Sequence, residues 1–378
     1  MKSMTSCQRL AAAFRCQEPD RVPIQVRGVD TISRVLIKRH ESFRPLVEAV
    51  AQHGDLTQSW GASCAFLTRW INSTNTFTRV EKRNEDFNVH YHTIRTPKGD
   101  LTCSTNVSTK GHPPMRETFY VKSLEDVEKF LSIPYAPHRP DCAPFFKQVE
   151  ALGEQGIVLA SPGSDAITYV HELLGSELLA IWSIEERETI HRLLRVFNER
   201  LCDTAKYLVS QKVGPLFSSS GQEYVAPPLH PPKDFYDFVV KYDKEVFAIL
   251  RDAGGMIHVH CHGPIRDLQD GFLEMNINCL HPIEAPPMGN LPLAEAKAKM
   301  GHKICLEGNI QIGDMYSCTP QEIEQTTIAA IRAAGRGGGL IICPTASPYT
   351  PTLPDVALQN YLAMIRTARE YGTYPLRV

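Results

Sequence analysis

The chain has no apolar run approaching the ~20 residues that a membrane-spanning helix requires. Its opening residues, Met1-Lys2-Ser3-Met4-Thr5-Ser6-Cys7, are too polar for the core of a secretory signal. A cytoplasmic protein is therefore expected. An excess of either charge is also lacking: Lys and Arg total 40 against 42 Asp and Glu, a formal net charge of -2. A general nucleic-acid binder would carry a basic surplus. No CxxC pair occurs among the eleven cysteines, which scatter from Cys7 to Cys343. An odd number at irregular spacing does not make a disulfide framework. Reduced thiols, most of them small buried hydrophobes, are the plain reading.

What is present is a regular alternation of short apolar strands and longer helices. The 378 residues are 43% hydrophobic and 22% charged, enough apolar material for one large barrel or two mid-sized domains. Arg9-Leu10-Ala11-Ala12-Ala13-Phe14-Arg15 has helical spacing and ends before Pro19 and Pro23. Val22-Pro23-Ile24-Gln25-Val26 reads as a strand. Residues 78–107 alternate in β-branched stretches around the turn Thr96-Pro97-Lys98-Gly99-Asp100, predicting an inserted antiparallel meander. Ser123 reads as a helix cap with Asp126 three residues on.

Further strands are predicted at 157–160, 214–218, 256–262, 277–281, 303–306 and 339–343. The helices predicted between and after them lie near 167–180, 185–212, 234–252, 265 onward, 292–300, 320–334 and 354–371. Strands alternating with helices imply a parallel sheet. The repeat runs on without a linker or low-complexity segment, and no Gly-rich dinucleotide turn follows any strand. A single (β/α)8 TIM barrel over 1–378 explains that better than an open doubly wound sheet. Gly335-Arg336-Gly337-Gly338-Gly339 resembles a phosphate loop in composition only. It enters a strand, so it is read as a flexible connection.

In such a barrel the chemistry sits at the C-terminal ends of the strands. Those ends supply Arg27, Ser161, Ser218 to Glu223, His260, His262, His281, Glu284, Glu307, Asn309 and Cys343. In Met256-Ile257-His258-Val259-His260-Cys261-His262, strand alternation puts the three histidines on one face. Two imidazoles at that spacing can present nitrogens to one zinc-like cation, or can orient a substrate carboxylate. A metal needs a further ligand from a distant strand, and Cys343 is the leading candidate. Glu223, flanked by small residues, is a candidate ligand or general base. Glu284 and Glu307 stand where each could polarise a histidine or cap the following helix.

These residues identify a resemblance to the uroporphyrinogen decarboxylase superfamily, which includes corrinoid-linked, zinc-dependent methyltransferases. It runs through Arg9-Leu10-Ala11-Ala12-Ala13-Phe14, Pro19-Asp20-Arg21-Val22-Pro23, Glu223-Tyr224-Val225-Ala226-Pro227-Pro228, His260-Cys261-His262-Gly263, Leu306-Glu307-Gly308-Asn309-Ile310 and Ser347-Pro348-Tyr349-Thr350-Pro351. The decarboxylases carry Arg-Gln-Ala-Gly-Arg after the first strand, whose arginines hold the porphyrinogen carboxylates. Here the region reads Gln25-Val26-Arg27-Gly28-Val29-Asp30, with one arginine. The methyltransferase branch binds zinc through His-x-Cys and a distant Cys. His260 matches the histidine, His262 replaces the first cysteine, and Cys343 lies one residue off the second.

The resemblance thus implies a zinc site at His260, His262 and Cys343, with Glu223 and Tyr224 catalytic. It places Arg27, Ser161, His281, Glu284, Glu307 and Asn309 around the substrate. A His-rich site suits an oxygen- or nitrogen-bound methyl group passing to a corrinoid protein. A carboxy-lyase acting on a porphyrinogen or smaller acid is the alternative, and a non-catalytic tetrapyrrole-binding barrel a third. The expected partners are a small methylated compound, a corrinoid protein and a second copy of the chain in a homodimer; nucleic acid and membrane are not.

Overall fold

The computed structural model describes residues 3–377. A parallel sheet links β1 (Leu56–Gly61), β6 (Gly156–Ser161), β7 (Leu216–Ser220), β8 (Met256–His260), β9 (Cys279–His281), β10 (Cys305–Glu307) and β11 (Leu340–Ile341) in that order. Residues 22–26 close the ring. Gln25 N donates to Ile342 O and Ile342 N to Pro23 O on one side, and Asp55 N donates to Ile24 O on the other. That segment is the eighth stave, with Pro23 removing one donor from its ladder. The expected TIM-type barrel is present, and β1 is a strand the sequence pattern did not disclose.

The inserted meander is larger than residues 78–107. It comprises β2 (Thr76–Lys82), β3 (Phe87–Thr96), β4 (Gly99–Ser108) and β5 (Met115–Thr118), paired antiparallel in chain order. The chain leaving β5 docks on the helix Ala166–Glu185, where Val121 N donates to Leu173 O and the Phe119 ring packs against Gly175 and His171.

Two apolar cores follow from strand alternation. Outward residues such as Phe217, Ile257, Val259, Leu280 and Leu306 join the large core beneath the helices. Inward residues Ile157, Leu159, Leu216, Cys279, Cys305 and Ile341 pack on Leu10, Ala13 and Phe14 of the N-terminal helix Ser6–Phe14. That helix therefore plugs the barrel from below, and Thr5 and Gln8 cap it reciprocally. The glycine segment before β11 is packed, not flexible. A Cβ at Gly338 (φ 78) would lie 2.2 Å from Gln17 backbone atoms, so only glycine fits beneath the chain leaving the plug.

One buried carboxylate pins the plug to the first two staves. Asp55, 1% exposed, accepts from Arg9 Nη1 at 2.6 Å, Arg21 Nη1 at 2.8 Å and the Ile24 amide at 2.8 Å. Asp20 completes the cluster from Arg9 Nε at 2.6 Å. Deleting one member of such a set leaves the other charges buried without a partner. Asp55→Ala is expected to cost about 3–5 kcal/mol, read as a lowered urea midpoint, whereas a loss under ~1 kcal/mol would show that the cluster behaves as a surface ion pair.

Candidate active site

Along β8 the inward row rises from the core to the mouth. Met256 packs on the plug, His258 is buried and His260 is half-buried, while Ile257 and Val259 face the helices. His262 lies just beyond the strand with its side chain 35% exposed. Register sets His258 beside Cys279 and His260 beside His281 on β9, and β10 adds Glu307.

His281 is braced through both ring nitrogens, and His260 and His262 through one each. His281 Nε2 lies 3.1 Å from Pro344 O, which can only accept, so that nitrogen carries the proton. Its Nδ1 lone pair then accepts from His260 Nδ1 at 2.8 Å. Burial drives the His281 pKa down to about 3, and burial, with Arg27 and the neighbouring imidazoles, also lowers that of His260. Both rings are neutral, and His260 keeps an unprotonated Nε2. His262 Nδ1 donates to Glu284 Oε2 at 3.1 Å, and Gly263 N reaches the same oxygen at 2.9 Å. In the neutral ring this leaves Nε2 with its lone pair. The His260 and His262 rings stand perpendicular, 4.7 Å between centroids.

A deeper layer gathers around Glu307. His258 Nε2 donates to its Oε2 at 3.0 Å and Cys279 Sγ lies 3.6 Å from the same oxygen. Burial would raise this carboxyl, yet the His258 hydrogen bond and nearby positive charge outweigh it and hold the pKa down at about 2. The His258–Cys279–Glu307 and His281–Glu307–Cys343 donor atoms form two sets, each within 4.8 Å, sharing Glu307. His258 Nδ1 and Glu307 Oε1 are buried without a hydrogen-bond partner, which marks the layer as built around polar chemistry, not packing. Cys343 is thus placed with His281 and Glu307, and His260 and His262 belong to neither set. Burial raises the Cys343 and Cys279 thiols well above their ordinary range.

The remaining expected residues divide. Glu223 sits in the turn Gln222–Val225 with Oε2 buried and unpartnered, and burial raises its pKa. Tyr224 stacks on His171, ring centroids 3.8 Å apart. Burial, reinforced by Arg116, lowers the His171 pKa to about 4. Asn309 Oδ1 is buried without a partner. Ser161 is engaged locally: its hydroxyl donates to Gly163 O at 2.6 Å and accepts from Gly163 N. Glu284 and Glu307 each meet a histidine, the first of the two roles open to them.

Arg27 lines a cavity of about 300 Å³ with Gln25, Asp30, Gln58, His258 and Ser347. The sequence pattern did not single out His171 and Gln58, which lie away from the predicted strand ends, or Gln25, one residue inside the end of the strand 22–26.

The tautomer chain makes a spectroscopic expectation. The folded pKa values of His260 and His281 lie below the ordinary 6.5, so as pH falls through that value the unfolded chain takes up protons that the folded chain refuses. These two rings therefore withdraw stability on acidification below about pH 6.5. Their 15N ring resonances should remain those of neutral imidazole in the folded protein at pH 5. An imidazolium pattern for either at pH 6 would contradict the assignment.

Comparison with known proteins agrees with this architecture. The sequence matches the uroporphyrinogen decarboxylase (URO-D) family over residues 88–371. A methyltransferase from Methanosarcina mazei superposes over 98% of this chain and 99% of its own, with TM-score 0.61 and 13% identity. A protein described as a vitamin-B12 independent methionine synthase from Listeria monocytogenes aligns over 93% of this chain and 96% of its own, with TM-score 0.41 and 13% identity. No curated protein sequence matches. At 13% identity the likeness to the Methanosarcina structure bears on the fold alone, whereas the family match spans most of the chain. The chain belongs to the uroporphyrinogen decarboxylase family.

Proposed function

We propose that the barrel mouth is a zinc-dependent methyl-transfer site that moves a methyl group from a small O- or N-methyl compound to a corrinoid protein. The observation that carries this reading is the braced pair of imidazoles. His260 is fixed through His281 and the Pro344 carbonyl, His262 through Glu284, and in each ring Nε2 is the nitrogen the brace leaves over. Metal-ligating histidines are held in this way, by an acceptor on the nitrogen that does not bind.

The donor set suits a borderline cation. Imidazole nitrogens are borderline donors, and the imidazole, carboxylate and thiol groups gathered around Glu307, with partnerless buried atoms among them, lie in a layer that leaves out His260 and His262. His260 and His262 would hold the metal. Cys343, expected beside them, stands in this reading with His281 and Glu307 in the supporting layer. Bound zinc would supply Lewis acidity toward the heteroatom that carries the methyl group.

The chain's own groups handle substrate and proton. When the methyl group leaves as an electrophile, the donor heteroatom gains an electron pair and needs a proton. Glu223, its carboxyl raised by burial, is the group placed to carry one. Tyr224, pinned by His171, would wall the mouth on that side.

One observation favours a second reading. Arg27 is half-buried in the mouth cavity and makes no ion pair or side-chain hydrogen bond among the described residues, which suits a carboxylate-bearing ligand and hence a carboxy-lyase. A single guanidinium does not match a porphyrinogen's many carboxylates, so that lyase would act on a smaller acid.

The test is methylation of a reduced corrinoid protein by the zinc-loaded chain, followed by corrinoid absorbance with methoxy and methylamine donors. Glu223→Gln is expected to lower the rate about 10²–10⁴-fold with an unchanged melting temperature. No transfer from any such donor, with release of carbon dioxide from a small acid, would replace the proposal with the lyase.

A further inference from the structure

Behind the Glu223 turn lies a buried polar cluster that the mouth chemistry does not use. Asp165 is 2% exposed, Asp243 3% and Gln222 0%. Asp165 caps the helix Ala166–Glu185. Its Oδ1 accepts from Thr168 N at 3.0 Å and lies 2.5 Å from the Thr168 hydroxyl, while its own amide donates to Ser220 O at 3.2 Å. Gln222 Nε2 donates to Asp243 Oδ2 at 2.9 Å and to Ser219 Oγ at 3.1 Å. Asp165 Oδ2 and Gln222 Oε1 have no partner. Gly221 (φ 115) holds the two halves together, since a Cβ there would lie 1.7 Å from Thr168 Oγ1.

The electrostatics of this cluster are one-signed. Neither aspartate forms an ion pair among the described residues. The ionisable groups facing Asp165 are Asp243, Glu223, Tyr169, Tyr224 and Cys261, and Asp243 faces Asp165 and Cys261. Every one is an acid. Both aspartates line a cavity of about 10 Å³, at the lower limit for one water molecule and too small for a hydrated ion. Two bare carboxylates without a cation are strongly disfavoured in such a place, and the remedy that needs no additional ligand is protonation.

We propose that Asp165 and Asp243 are positioning residues that hold a proton between them at neutral pH and, through Gln222 and the Ser219–Ser220 segment, fix the turn that carries Glu223 and Tyr224 into the barrel mouth. The electrostatic balance agrees. Burial, then the Asp243 charge, raises Asp165, and burial pushes Asp243 up to about 7 against its Gln222 bond. Once both are ionised, two buried like charges repel with no cation between them, and that repulsion strains the Gln222 and Ser220 bonds that hold the turn to the pair. The consequence for chemistry rests on Glu223 being the proton-bearing group of the mouth. The existence of the proton does not, so the test below can fail while that reading stands.

Asparagine is the shape of the neutral acid, so D243N serves as the locked reference. The folded wild type keeps a proton that the unfolded chain has lost between about pH 4 and 7, and its stability therefore falls as pH rises through that window. In urea titrations of the full chain, the folding constant of wild type relative to D243N should fall by up to about tenfold per pH unit from pH 5 to 7 and then level. Amide exchange across residues 219–226, corrected for intrinsic rate, should lose protection over the same range in wild type and stay constant in D243N. A pH-independent ratio would overturn the proposal. So would stabilisation of wild type, but not D243N, by sodium, potassium, magnesium or calcium chloride, which would make the pair a cation site. If D243N does not fold, D165N, which keeps the helix cap, takes its place, and failure of both to fold would equally contradict a neutral acid at these positions.

Discussion

The Pro344 carbonyl can only accept a hydrogen bond, and much of the mouth follows from that. It fixes the proton of His281 on Nε2, which makes Nδ1 an acceptor for His260 and leaves His260 with a free nitrogen. The chain of constraint begins with backbone, which does not titrate, so it holds across the whole range in which imidazoles ordinarily gain charge. Its geometry depends in turn on β9 and β11 being held in register by β10 between them. A barrel supplies that rigidity because each stave is hydrogen-bonded on both sides.

The same barrel must bury its polar interior without collapsing. The helix Ser6–Phe14 fills the lower end of the barrel with Leu10, Ala13 and Phe14, so the Glu307 layer rests on packed side chains. Phe14 stacks on His258 at 6.2 Å, joining plug to site directly. Asp55 and its two arginines hold the plug where it enters. Polar groups above that level bond to one another only in part, and His258 Nδ1, Glu307 Oε1 and Asn309 Oδ1 stay buried without a partner, an arrangement that sacrifices stability for reactivity. The Asp165–Asp243 pair extends this pattern to the support behind the mouth.

Much of this was legible in the sequence because alternation is a local property. The spacing of His258, His260 and His262 put them on one face, and the strands at 157–160, 214–218 and 256–262 were short apolar runs between periodic helices. β1 escaped notice because Thr57, Gln58 and Ser59 leave only Leu56 and Trp60 to signal a strand. Its polar residues face the cavity that Arg27 lines. The partners of Cys343 were not legible either. Register pairs Glu307 with Ile341, and Cys343, two residues further on, meets His281 and Glu307 only in the folded barrel, which no spacing along the chain discloses. Asp165, Gln222 and Asp243 lie on separate elements and meet only in the folded barrel, so each alone reads as a cap or a surface residue. The URO-D resemblance, confirmed over residues 88–371, named the family while leaving the reaction to be argued from the site.

The central claim is that His260 and His262 hold a metal through the nitrogens their braces leave over. Zinc content and zinc K-edge absorption of untagged protein, purified without chelator, address it directly. The account predicts near-stoichiometric zinc with imidazole back-scattering in wild type and its loss in folded His260→Ala. Absence of zinc after reconstitution with reductant, or equal zinc in His260→Ala, would contradict it and leave these histidines as groups that orient a substrate.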